Sequence, residues 1–217
     1  MIEFEKNTLS QRISENIATQ IVEGKLSPGE RLLEKDLQEL FGTSRSPIRE
    51  ALYLLEIQGV VERVPRKGVF VKKYTKKEVF DFYDIVYTLT DIALQKGIHN
   101  RRDQQLEQLN NTIDNLESNL KKQNFKEAFL LVEEIHLALF EISNNSTLIE
   151  IYKSLNKRWT TFRYLTLSHP DRLQQSFREY KEIINGLNKS EMEKVSSTLS
   201  MKKDRAMKVL DNVFESE

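Results

Sequence analysis

The chain has 217 residues, 39% of them hydrophobic, and its 33 basic side chains are cancelled by 33 acidic ones. That length supports one large domain or two small ones with a substantial core. The cancelled charge means that any affinity for a polyanion must come from local clustering. Cysteine is absent, which excludes disulfides, thiolate metal sites and a cysteine nucleophile together.

Only His99, His136 and His169 are available as nitrogen ligands. No apolar run is long enough to span a bilayer, and MIEFEKNTLS lacks the basic-then-apolar form of a secretion signal. A cytoplasmic location with no membrane partner is the expectation. Low glycine and proline content and long leucine- and isoleucine-spaced segments point to a mainly α protein with short loops.

Leu9, Ile13, Ile17 and Ile21 keep helical spacing after Thr8, which with Gln11 fits a capping box. SPGE follows, with Pro28 and Gly29 suited to the two central positions of a type II turn. A short helix, EKDLQELF, is then closed by Gly42. Ser44 is placed to cap a third helix, and Pro47 is tolerated in its first turn.

In that third helix Ile48, Ala51, Leu52 and Leu55 share one face, while Arg45, Arg49 and Tyr53 line another. One side packs and the other offers cations. VVERV and VFVKK then alternate around the tight turn PRKG, predicting a two-stranded hairpin. Three helices and a hairpin make a winged helix-turn-helix, whose third helix enters the DNA major groove by its N-terminal end.

Arg45 and Arg49 are therefore the candidate readers of base edges or phosphates, because a guanidinium matches a guanine edge bidentately. Ser44 and Ser46, at the positive end of the helix dipole, suit a phosphate. The wing adds Arg63, Arg66, Lys67, Lys72 and Lys73 with no acid between Arg63 and Lys73. The alternative is an ordinary solvated face in which Glu50 shares the two arginines.

Thr75 and Glu78 form a second capping box, so a new domain is expected over residues 75–217, after a DNA-binding domain at 1–74. Six helical segments follow, at about 76–97, 102–122, 124–143, 146–167, 171–186 and 190–214. They read as an antiparallel six-helix bundle. Leu106, Leu109, Ile113, Leu116 and Leu120 make one seam.

Tyr180 falls in the stripe of Phe177, Ile184 and Leu187, and Lys202 in that of Val195, Leu199, Ala206 and Val209, so both should point inward. A buried ammonium is costly unless paired, and no acid shares its stripe. Phe80, Tyr83 and Tyr87 read as packing, and Arg158 and Arg163 flank Leu155, Trp159 and Phe162 with a solvated flank as the usual fate.

GKLSPGERL, LEKDLQELFGTSRSPIREALYLLEIQGVV and PRKGVFV closely resemble the N-terminal module of the GntR family of bacterial transcriptional regulators, over roughly residues 10–72. By that resemblance the DNA contacts fall on Lys35, Ser44, Arg45, Ser46, Arg49, Arg66, Lys67 and Gly68. Lys35 stands where relatives commonly have arginine. The helix order, EEIHLALFEISNN and Asn145 resemble the effector domain of the FadR branch, which implies an internal ligand pocket and a homodimer on a palindromic operator.

Many relatives hold a divalent metal through an aspartate, a histidine four residues on and two further histidines. Those positions are Val132, His136, Tyr180 and Lys202, so one ligand in four survives. The resemblance therefore implies no metal here. His136 reads as a core histidine; Glu133, three residues before it, could join it in no more than a weak metal site.

Lys202 is expected either to replace the metal as the fixed cation for an effector carboxylate or phosphate, beside Tyr180, His136 and Arg163, or to snorkel to a bundle end. The expected function is an effector-controlled regulator, most relatives being repressors; the alternative is an effector-blind DNA binder with a filled pocket. With no nucleophile, glycine-rich phosphate loop or paired metal-spaced histidines, no enzyme is expected.

Overall fold

A computed structural model describes residues 8–167 and 169–215, apart from the side chains of Lys157 and Leu165. The leading MIEFEKN, read above for its lack of a secretion signal, lies outside them. The chain divides into two compact units, one of residues up to Tyr74 with Leu155–Thr161, the other of Thr75–Ser154 with Phe162 onward.

The first unit begins with α1 (Leu9–Val22), capped by Thr8 and Gln11 in a complete capping box. Ser27 to Glu30 closes a turn by a 3.0 Å backbone hydrogen bond, with Gly29 at φ 82°, the left-handed value that a type II turn needs. α2 (Glu34–Phe41) ends on Gly42 in the left-handed region, and α3 (Arg45–Ile57) follows at once. Ser44 stands at the N-cap of α3, but its side chain makes no capping hydrogen bond, contrary to expectation.

The wing is three-stranded. β2 (Val61–Val64) and β3 (Gly68–Val71) form the expected hairpin, and β1 (Arg31–Leu32) pairs antiparallel with the other edge of β3. Its register sets Arg31 opposite Phe70 and Leu32 opposite Val69. Two residues between turn and helix carry too little periodicity to read as a strand. Only the partner strand defines them.

The core of this unit joins Ile13, Ile17 and Ile21 of α1, Leu37 of α2, Ile48, Ala51, Leu52 and Leu55 of α3, and Val61, Val69 and Val71 of the wing. Each such aliphatic side chain withdrawn from water stabilises the unit by about 1.5–3 kcal/mol. The same packing fixes the rotation of α3, leaving Arg45, Arg49 and Tyr53 exposed.

The second unit comprises α4 (Lys76–Asn100), α5 (Asp103–Lys121), α6 (Phe125–Glu141), most of α7 (Ser146–Leu167), α8 (Pro170–Lys189) and α9 (Met192–Glu215). Thr75 and Glu78 cap α4 reciprocally, Asn145 accepts from the Leu148 amide, and His169 caps α8 ahead of Pro170. α4 packs on α6 and α9, α5 on α6 and α8, and α8 on α6 and α9. Leu109, Ile113, Leu116 and Leu120 form the buried seam of α5; Leu106 is half-buried.

Gly186 permits the close approach of α8 to α9, since a Cβ there would sit 2.6 Å from Val195. No helix among the described residues is long and apolar enough to cross a membrane.

Candidate nucleic-acid interface and bundle ionic centre

On the first unit, the acid that shares the two arginines of α3 is Glu34, not Glu50. Glu34 opens α2 and lies 2.6 Å from Arg45 Nε and 3.5 Å from Arg49 Nε. Glu50 instead accepts from the Ser10 hydroxyl at 2.8 Å. Both arginine side chains stay more than half exposed, at 68% and 59%, so these pairs contribute little to stability. Glu34 brings the two guanidinium groups to one carboxylate at the start of α3.

Lys35 is exposed and lies 3.9 Å from Glu39, one turn on in the same helix. Ser44 and Ser46 are exposed at the N-terminus of α3. At the wing tip the Lys67 amide donates to the Val64 carbonyl at 3.0 Å, closing a turn with Pro65 and Arg66 at its centre. Arg66 holds φ at 64°, a strained value for a residue with a Cβ.

Gly68 sits at φ 113°, and a Cβ there would come within 3.2 Å of Arg31. Arg66, Lys67 and Lys73 are exposed. Two other members of the basic run are engaged: Arg63 pairs with Glu56 at 3.0 Å, and the Lys72 ammonium lies 4.5 Å from the Tyr74 ring centre.

In the second unit His136, Tyr180, Lys202 and Arg163 converge, coming from α6, α8, α9 and α7. All four are buried, with 4% or less of their surface exposed. Burial of Tyr180 and Lys202 follows the stripes read from the sequence. Burial of Arg163 overturns the expected solvated flank.

Hydrogen bonds fix the state of His136. The Thr90 hydroxyl donates to the Val86 carbonyl at 2.8 Å, so at its 3.3 Å contact with His136 Nε2 it accepts. Nε2 therefore carries the imidazole proton, and Nδ1 accepts from the Tyr180 hydroxyl at 2.9 Å. Burial, then the nearby Arg163 and Lys202 charges, push the His136 pKa well down; the ring is neutral.

Lys202 is not the uncompensated cation that its own helix suggests. Its ammonium donates to Ser176 Oγ at 2.6 Å and to Glu179 at 3.0 Å, both on α8, and lies 4.0 Å from the Tyr180 ring centre. Arg205, one turn further along α9, grips both oxygens of the same carboxylate at 2.6 and 2.7 Å. Burial pushes the Lys202 pKa down to about 8, with Glu179 acting against it. Burial also opposes the charge on Glu179, but Arg205 and Lys202 outweigh it and lower that carboxyl's pKa.

Arg163 is paired with Glu133 of α6. Burial disfavours the guanidinium charge, yet Glu133, Tyr152 and Tyr180 around it more than compensate and raise its pKa. Burial drives Tyr180 up to about 12 and Tyr83 above its ordinary value, so both are neutral phenols. Tyr83 donates to the Phe162 carbonyl at 2.9 Å and lies 3.1 Å from the Thr166 hydroxyl.

The sequence reading missed Glu179, Arg205, Ser176, Thr90, Tyr152 and the partnership of Glu133 with Arg163. One signal was available: Glu179 shares a face with Ser176, Ile183 and Gly186, all small or apolar. An acid on such a face, like Lys202 on its own, marks an inward charge.

These residues do not fit the divalent metal that the resemblance brought into question. Val132 has no donor atom, Lys202 presents an ammonium, and the single lone pair of neutral His136 is taken by Tyr180. Among the described residues no three histidine, aspartate or glutamate side chains are grouped to hold a metal ion.

The architecture is that of a winged helix-turn-helix protein with an all-helical C-terminal domain. The model of bacterial regulatory proteins of the gntR family matches residues 9–71, and that of the FCD domain matches residues 81–201. The chain belongs to the GntR family of transcriptional regulators and carries an FCD effector domain.

It is 29% identical over 174 residues to the HTH-type transcriptional regulator YdhC of Bacillus subtilis, covering 80% of this chain and 78% of that protein. The gluconate operon transcriptional repressor of Bacillus licheniformis is 24% identical over 174 residues, 80% of this chain and 70% of its own. The solved structure of McbR/YncC from E. coli shares the fold, with a TM-score of 0.80 at 22% identity over 96% of this chain and 99% of that one.

Proposed function

We propose that the protein is a cytoplasmic, non-enzymatic, homodimeric repressor whose operator affinity is set by a small anionic effector held in the helical bundle without a metal. The observation that carries this reading is the convergence of Arg163, Lys202, Tyr180 and His136 in one buried centre. That centre has three cations, Arg163, Lys202 and Arg205, against two acids, Glu133 and Glu179. A site with one surplus positive charge favours an anion, and a carboxylate or phosphate suits its donors. Relatives named as repressors support the sign of regulation, and gluconate, in the name of one of them, is a carboxylate.

Operator contact is assigned to Arg45 and Arg49 on α3, with Lys35, Ser44 and Ser46 beside them and Arg66, Lys67 and Gly68 at the wing tip. A homodimer supplies two recognition helices to a palindrome. The effector acts by binding one conformational state more tightly than the other. Occupation of the bundle centre by its own ion pairs favours the second reading, an effector-blind DNA binder.

The test is operator affinity of the full chain, measured with and without chelator against divalent metals, small carboxylates and acyl thioesters. A chelator-insensitive change with an anion supports the proposal. A chelator-sensitive response to metal refutes the metal-free site, and no response to any ligand leaves the effector-blind binder.

A further inference from the structure

The three cations of the bundle centre are not equally available to a ligand. Glu179 ties up two of them, since its oxygens accept from Arg205 Nε, Arg205 Nη2 and Lys202 Nζ. A ligand that took Lys202 or Arg205 would have to break up a three-membered buried cluster, and the cation left behind would lose its carboxylate. Arg163 is different. It meets Glu133 through Nη2, Nη1 makes a long 3.4 Å bond to the Val132 carbonyl, and the neutral hydroxyls of Tyr152 and Tyr180 lie beside it. Its carboxylate is not the one that Lys202 and Arg205 share.

The Arg163 side chain is 4% exposed and that of Glu133 is 17% exposed. The carboxylate is therefore the more solvent-facing partner of the pair. Beside them the hydroxyl of Tyr152 is buried; the Arg163 guanidinium is close enough to donate to its oxygen, while no group among the described residues is placed to accept its proton. Tyr180 offers no second proton, because it gives its own to His136.

We propose that Glu133 is a built-in stand-in for the effector: its carboxylate occupies the Arg163 guanidinium and is exchanged for one carboxylate group of the ligand, which also accepts from the Tyr152 hydroxyl. This deepens the proposed function and rests on it. It shifts the fixed cation of the site from Lys202 to Arg163 and leaves Lys202 as part of the frame. The exchange substitutes one negative charge for another, so it conserves the charge balance around the buried guanidinium. A neutral amide of the same shape fails to do so.

The experiment is calorimetric titration of the full chain with sodium acetate, propionate and benzoate, with the matching amides as controls, at constant ionic strength. Glu133→Gln removes the internal competitor and is expected to bind the best of these carboxylates at least ten-fold more tightly than the wild type, with no binding of the amides. Adding Tyr152→Phe to Glu133→Gln is expected to take back about ten-fold, the typical worth of a hydrogen bond to a charged group. If Glu133→Gln does not fold, Glu133→Asp withdraws the competing carboxylate by one methylene and is expected to tighten binding in the same direction.

Equal affinity in the wild type and the Glu133 variants overturns the proposal, as does carboxylate binding by none of them. Operator affinity measured in parallel separates the two readings. A wild type whose operator affinity responds to a carboxylate that the Glu133 variants bind no better keeps the effector reading and removes this one. Tighter binding by the variants with no change at the operator does the reverse.

Discussion

Glu179 and Lys202 form one ion pair, but their removal should have unequal consequences. Lys202→Met takes away an ammonium 4% exposed and replaces its stem with an apolar chain of similar length. Glu179 keeps both bonds to Arg205, at 2.6 and 2.7 Å, so no charge is orphaned. Exchanges of buried ionic groups for hydrophobes are often neutral or stabilising, and the expected change is within about 1–2 kcal/mol of wild type.

Glu179→Gln leaves Lys202 and Arg205 sharing an uncharged amide. Truncating one partner of a buried pair costs about 3–5 kcal/mol. Deprotonation of Lys202 sets a ceiling on that loss. Forcing a lysine of ordinary pKa 10.5 to be neutral at pH 7 costs about 5 kcal/mol.

The sign of the pH dependence follows from the same group. A lysine whose folded pKa is depressed makes the folded state more stable as pH rises from the folded value of about 8 toward the unfolded 10.5. The Glu179→Gln loss should therefore shrink to about 1–2 kcal/mol near pH 9.5. Differential scanning calorimetry and urea unfolding followed by far-ultraviolet circular dichroism, at both pH values, measure this. A Lys202→Met variant that loses as much as Glu179→Gln, or a Glu179→Gln loss that ignores pH, refutes the reasoning.

Arg49→Ala should weaken operator binding by about 1–3 kcal/mol and relax preference at one base position, read by competition among single-base operator variants; unchanged affinity removes Arg49 from the interface. Arg66→Gly relieves the positive φ of the wing tip and removes a cation, so the melting temperature should hold or rise while operator affinity and the salt dependence of binding both fall. Loss of stability in that variant contradicts the reading of the turn. Because the buried His136 pKa is depressed from 6.5, its contribution is present above that value and is lost as pH falls through the folded pKa. Wild type should thus lose stability relative to His136→Phe between about pH 6.5 and 5, and parallel pH profiles refute the buried neutral imidazole.

Both capping boxes, the SPGE turn, the Gly42 stop and all six bundle helices could be read from spacing because each is decided within a few neighbouring residues. The strand Arg31–Leu32 could not, since two residues become a strand only when β3 lies beside them. The Ser44 cap failed for a related reason: a residue type sets an opportunity, and the surrounding geometry decides whether the hydrogen bond forms. At the candidate sites the inward direction of Tyr180 and Lys202 was legible as a break in an apolar stripe. Their partners were not.

What the sequence by itself determined is therefore the order and type of the elements, the cationic face of α3, the basic wing and the inward polar positions of the bundle. These follow from periodicities of two and 3.6 residues and from local turn chemistry. Only the tertiary structure decided which charges meet. Glu34 stands between Arg45 and Arg49, Glu179 between Lys202 and Arg205, and Glu133 on Arg163. Each of these pairings joins different helices. A helical stripe says that a charge points inward, whereas its compensation depends on the distance and register of another helix, which no spacing along one segment encodes.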